Sequence, residues 1–87
     1  PGTFSVELFR TAEPRALSRA IEVLGSALDG QALRVGRSGS DDAPVLRIVT
    51  GQFSNRESAD ALVRALRADL PPGYAAVTTR LGHQASN

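Results

Sequence analysis

The chain has 87 residues and no cysteine, and its ten basic side chains, all arginine, stand against nine acidic ones for a formal charge of +1. That length accommodates one small domain burying about 60 to 65% of its unfolded surface and leaves no room for two, while the missing thiols exclude a disulfide framework and a thiolate metal site. The weak net charge excludes the strong field that gathers polyanions, and the short apolar runs exclude membrane insertion by this segment, so the expectation is one soluble domain of a longer protein.

Residues 1–3 form a loose lead-in, after which Phe4, Val6 and Leu8 alternate with Ser5, Glu7 and Phe9 as a strand with two unlike faces. Thr11 or Glu13 is placed to cap the helix that follows, with Pro14 in its first turn, where a missing N–H costs little. Leu17, Ala20, Ile21, Leu24 and Leu28 recur at helical spacing as a core face, opposite Arg15, Ser18, Arg19 and Glu22. Asp29-Gly30 ends this helix. Residues 32–35 read as a second strand, and residues 36–44, rich in Gly, Ser and Asp, as a connection to a third strand over 45–49 that Gly51 breaks. Ser54 and Glu57 have the spacing of a capping box, which starts a second helix at about Asn55. Its apolar face is Ala59, Leu62, Val63, Leu66 and Leu70, with Arg56, Asp60, Arg64 and Arg67 opposite. Pro71-Pro72-Gly73 stops that helix, and residues 74–81 read as a final strand. The expected domain spans 4–81, with flexible ends at 1–3 and 82–87.

The order βαββαβ predicts an α+β, ferredoxin-like fold: a four-stranded antiparallel sheet with two helices on one face and the other face open. If Phe4, Val6, Leu8, Leu46, Ile48 and Thr50 point to the helices, then Ser5, Glu7, Phe9, Arg47 and Val49 point away, joined by Arg34 from the edge strand. An aromatic ring, two guanidiniums and a carboxylate would then share one surface. Catalysis finds no comparable assembly. The single histidine, His83, lies in the polar tail away from any fixed Ser and Asp. Asp41 and Asp42 are adjacent and point in different directions, which makes a poor cation site. No phosphate loop, Cys-x-x-Cys or His pair is present, so no enzyme, metal or cofactor is expected. Stacking of RNA bases on such a sheet needs two or three exposed aromatics on the central strands, where the third strand offers Arg47 and Val49, and no nucleic-acid partner is expected.

The run Leu46-Arg47-Ile48-Val49-Thr50-Gly51-Gln52-Phe53-Ser54-Asn55-Arg56-Glu57-Ser58-Ala59-Asp60-Ala61-Leu62 resembles the second half of a SPOR domain, whose pattern is aromatic-Arg-Val-x-Val-Gly-Pro-Phe, then Ser/Thr-x-x-Glu and Ala-x-x-Leu. Arg47, Gly51, Phe53, Glu57, Ala59 and Leu62 match it, whereas Leu46, Thr50 and Gln52 replace an aromatic, a Val or Ile, and a Pro. Phe4 to Leu8 is similar to the family's opening strand, with Glu7 in place of Gln and Phe9 in place of Gly. The resemblance implies a non-catalytic module that binds peptidoglycan glycan strands lacking stem peptides. It further implies a periplasmic or cell-envelope location and targeting of a parent protein to the division septum, among other envelope or division proteins. The open-face set together with the resemblance makes Ser5, Glu7, Phe9, Arg34, Arg47, Val49 and Gln52 the expected ligand-binding residues. Glu7 differs chemically from the family's Gln because a carboxylate only accepts and repels the acidic groups of the glycan. A protein-interaction or structural module on the same scaffold is therefore the alternative, with RNA binding third.

Overall fold

Period-two alternation in the strands and apolar stripes in the helices are realised in the computed structural model, which describes residues 3–81. Strand β1 (Thr3–Thr11) leads to helix α1 (Pro14–Ala27), then β2 (Leu33–Gly39), β3 (Pro44–Phe53), helix α2 (Arg56–Leu66), a 3-10 turn (Arg67–Asp69) and β4 (Val77–Leu81). The strands lie in the order β2-β3-β1-β4, with every neighbouring pair antiparallel. This is the expected α+β, ferredoxin-like arrangement, and it puts β1 and β3 at the centre. No helix among the described residues is long and apolar enough to cross a membrane.

One face of the sheet carries the core. Val6 and Leu8 from β1 and Ile48 from β3 pack with Leu17, Ala20, Leu24 and Leu28 from the first helix and its end, and with Ala59, Val63 and Leu66 from α2. The two stripes are narrower than the sequence suggests. Ile21 is 36% exposed at the border of the α1 stripe, and Leu62 and Leu70 are half-buried against the edge of the cluster, so that Val63 rather than Leu62 is the buried α2 residue at this level. Asp60, expected on the solvated side of α2, instead accepts a hydrogen bond from the Thr78 hydroxyl through Oδ1 and ties the helix to β4.

The ends of several elements differ from expectation. Gly51 does not terminate the third strand, which runs on to Phe53, and α2 begins at Arg56. Asn55, not Ser54, is the N-cap: its Oδ1 accepts from the Ser58 backbone N–H at 2.8 Å, and no Ser54–Glu57 capping box forms. With the strand extended, the chain turns one residue later, and Asn is as good a cap as Ser. Glu57 remains in the first turn, where its charge favours the helix dipole. Asn55→Ala should lower stability by about 0.5 to 2 kcal/mol and Ser54→Ala by clearly less; equal denaturant midpoints for the two variants would refute this placement of the cap. At α1, Pro14 occupies the first turn as expected, but the Glu13 side chain makes no capping bond, and the Thr11 hydroxyl accepts from the Glu13 N–H at 3.1 Å just before the helix. The last strand starts at Val77, because Tyr74 is held in a turn by its N–H bond to the Pro71 carbonyl at 3.2 Å.

Candidate binding face

Two irregularities in the pairing of β1 with β3 decide what the open face displays. Glu7 lies opposite Val49 and Phe9 opposite Ile48, so two steps along β1 match one along β3. Such a bulge reverses the alternation beyond it. Phe9, expected beside Glu7 on the open face, therefore turns to the helix side, opposite the fully buried Ile48, and packs on Tyr74 with ring centroids 5.4 Å apart and planes at 49°. Arg10 takes the open-face place next to Glu7 and opposite Arg47. The second irregularity is on β3: Phe4 faces Phe53 and Val6 faces Thr50, so three steps along β3 match two along β1. The extra length is absorbed at Gly51, with φ +79°, a conformation that other residues adopt at a cost.

Across all four strands the register then sets Arg34, Val49, Glu7 and Val77 in one row of the open face, with Gly36, Arg47 and Arg10 in the next. Glu7 is the hub. Arg10 donates to both of its oxygens, Nε to Oε2 and Nη2 to Oε1, each at 3.0 Å, and Arg47 Nη1 donates to Oε1 at 3.2 Å. The Glu7 and Arg47 side chains are only 15% and 14% exposed, against 61% for Arg10. Such a fork of charged hydrogen bonds is stronger and more directional than neutral ones. Glu7 in turn holds the Arg10 guanidinium above its ordinary pKa, through the hydrogen bond first and the charge second. Arg47 Nε is buried and without a partner among the described residues.

A second network lies on the edge-strand side. Ser5 Oγ donates to the Gly51 carbonyl at 2.7 Å and accepts from Arg34 Nη2 at 3.0 Å, and the same Nη2 donates to the Gly51 carbonyl at 2.8 Å. The β3 bulge thus presents a carbonyl to which an arginine from β2 and a hydroxyl from β1 are both fastened.

Of the expected site residues, Ser5, Glu7, Arg34, Arg47 and Val49 do share one face, and Gln52 is exposed at the β3 bulge beside it. Phe9 does not belong to the face. Ser5 and Val49 belong to it but are sealed, at 0% and 2% exposure, beneath the surface. Arg10 and the 57%-exposed Val77 were missed. Strict alternation assigns Arg10 to the helix side, and the one sequence signal for it is its opposite charge three residues from Glu7, which becomes a contact only through the bulge. The four aromatic rings, Phe4, Phe9, Phe53 and Tyr74, all pack against the core. Among the described residues the face is accordingly free of aromatic side chains, and three guanidiniums against one carboxylate give it a positive excess.

Compared with solved structures, the chain is similar to the peptidoglycan binding domain of the B. subtilis cell wall lytic enzyme CwlC. The TM-score is 0.65 at 18% identity, and the alignment covers 94% of this chain and 92% of that one. The two share a fold over nearly their whole lengths. A PII-like signalling protein from Thermus thermophilus, at a TM-score of 0.33 and 18% identity over 92% of this chain and 83% of that one, is too distant to carry an argument. The sequence matches no family model and no curated protein.

Proposed function

We propose that the chain is a non-catalytic, SPOR-like module whose open sheet face binds peptidoglycan glycan strands lacking stem peptides, and that it directs a parent protein to the septal cell envelope. The observation that carries this reading is the fixed guanidinium set on the open face, Arg34, Arg10 and Arg47, with a positive charge exceeding that of Glu7. The fold shared with a domain described as peptidoglycan binding and the motif residues Arg47, Gly51 and Phe53 support it. A glycan strand freed of its peptides presents a lactyl carboxylate on each muramic unit along with hydroxyl and N-acetyl groups, and guanidinium N–H groups suit both charged and neutral oxygens. Glu7 is less of an obstacle than its charge suggests, because two guanidiniums already neutralise it. With Phe9 turned inward, the apolar faces of the sugars would rest on Val77. The same absence of exposed rings removes the stacking platform that RNA binding on such a sheet requires.

The test is sedimentation of the purified domain with sacculi. Amidase-treated sacculi should pellet it at least about tenfold more effectively than untreated ones, the size expected for one charge-assisted contact per site. Arg64→Ala, on the exposed side of α2, should pellet like the parent. A domain that stays folded by circular dichroism and pellets with neither preparation would leave the protein-interaction reading in its place.

A further inference from the structure

The three arginines of the open face are not equivalent, and their partners separate them. Arg10 and Arg47 both donate to the Glu7 carboxylate at 3.0 to 3.2 Å. An acidic ligand group approaching either would come to lie beside the Glu7 oxygens, and the repulsion would offset what the guanidinium offers. Arg47 is further limited by its 14% side-chain exposure, and its unpaired Nε is buried beyond a ligand's reach. Arg34 is different. Its bonds among the described residues run from Nη2 to two neutral acceptors, the Ser5 hydroxyl at 3.0 Å and the Gly51 carbonyl at 2.8 Å. These hold Nη2 against two adjacent acceptors, leaving the N–H groups of Nε and Nη1 without protein acceptors among the described residues. Its positive charge is uncompensated by any carboxylate there, and the residue is exposed.

We propose that Arg34, not the motif arginine Arg47, anchors the carboxylate of the ligand, and that Ser5 and the Gly51 carbonyl are the positioning groups that hold it ready. Glu7 then has a complementary task. By engaging Arg10 and Arg47 it weakens their pull on an anion relative to that of Arg34, so that a bound acidic saccharide places its carboxylate at the β2 side and neutral groups over β1 and β4. This assignment rests on the glycan reading above and states which group of the sugar meets which residue. Positioning through Ser5 works because its side chain is fully buried and fastened to the same carbonyl at 2.7 Å, so Arg34 is held by a closed set of three bonds.

Soluble glycan fragments from amidase-treated sacculi are titrated against the domain alongside the same fragments after chemical reduction of the lactyl carboxylates to alcohols. The parent domain should prefer the acidic form by about tenfold. Arg34→Ala should erase that preference, and Arg64→Ala, on the exposed side of α2, should keep it. Ser5→Ala should reduce binding of the acidic form about threefold or more with little change for the reduced form, as loss of one guiding hydrogen bond predicts; a purely structural role for Ser5 would lower both alike. Arg34→Lys, which keeps the charge but lacks the planar fork, provides a second variant should Arg34→Ala fail to fold, and it should lose most of the preference. Equal binding of acidic and reduced fragments by the parent, or a preference that survives in Arg34→Ala, overturns the anchor while leaving glycan binding intact. Binding of neither form overturns the glycan reading and the anchor with it.

Discussion

Gly51→Ala is expected to destabilise the domain by about 2 to 5 kcal/mol, from two sources. The left-handed conformation costs an L-residue about 1 to 2 kcal/mol, and Gly51 has φ +79°. A Cβ at this position would also meet the Phe53 ring at 2.7 Å and Leu62 Cδ2 at 2.9 Å, and overpacking of that kind costs about 1 to 3 kcal/mol. Both neighbours are partly buried and packed against the core, so one or both must shift for the Cβ to fit. A domain of this size is stable by roughly 5 kcal/mol, so the variant should be substantially unfolded at room temperature. The effect should reach the open face as well, because the Gly51 carbonyl is the acceptor for both Ser5 and Arg34. Urea denaturation checks the result, and a midpoint equal to that of the parent would mean that the β3 bulge is not built as described.

Leu24→Ala should cost about 3 to 5 kcal/mol, the upper part of the range for a leucine whose removal leaves a cavity that cannot collapse. Leu24 is 0% exposed, with Ile48 one of the two largest fully buried side chains, and sits in the cluster that joins α1, α2, β1 and β3. Ile21→Ala, one helical turn back and 36% exposed, provides the comparison and should cost far less. The two residues look alike in the sequence, both apolar and both at helical spacing, so the contrast isolates packing from composition. Similar midpoints for Leu24→Ala and Ile21→Ala would place the core elsewhere on α1.

The arginine that matches the SPOR pattern has a partner within the chain. Arg47 is where the SPOR pattern has its arginine, yet much of its guanidinium is enclosed and engaged with Glu7. Glu7, at the position where the SPOR pattern has Gln, makes an ion pair with Arg47 on the open face. Arg10, brought alongside by the β1 bulge, completes the neutralisation. Arg34, on the edge strand, is the one of these three arginines with no carboxylate partner among the described residues.

Local chemistry by itself determined the order of strands and helices, the single core and most of the face assignment. Alternation in Phe4 to Leu8 and in Leu46 to Thr50, and the stripes through Leu17 to Leu24 and Ala59 to Leu66, are periodic signals contained within one element each, and burial of one face follows wherever the element packs. Ser5, Glu7, Arg47 and Arg34 came to the open face by the same logic. Only the tertiary structure decided the two bulges, since a bulge is a mismatch of length between paired strands, and β1 and β3 are separated in sequence by α1 and β2. That mismatch sent Phe9 to the core and Arg10 to the face, extended β3 through Gly51 to Phe53, and so moved the cap from Ser54 to Asn55. Whether Ser5 and Val49 would be open or sealed was likewise undecided locally, because exposure on a sheet depends on the side chains of neighbouring strands, Arg34 and Glu7 on either side of Val49, and these come together only when the strands pair.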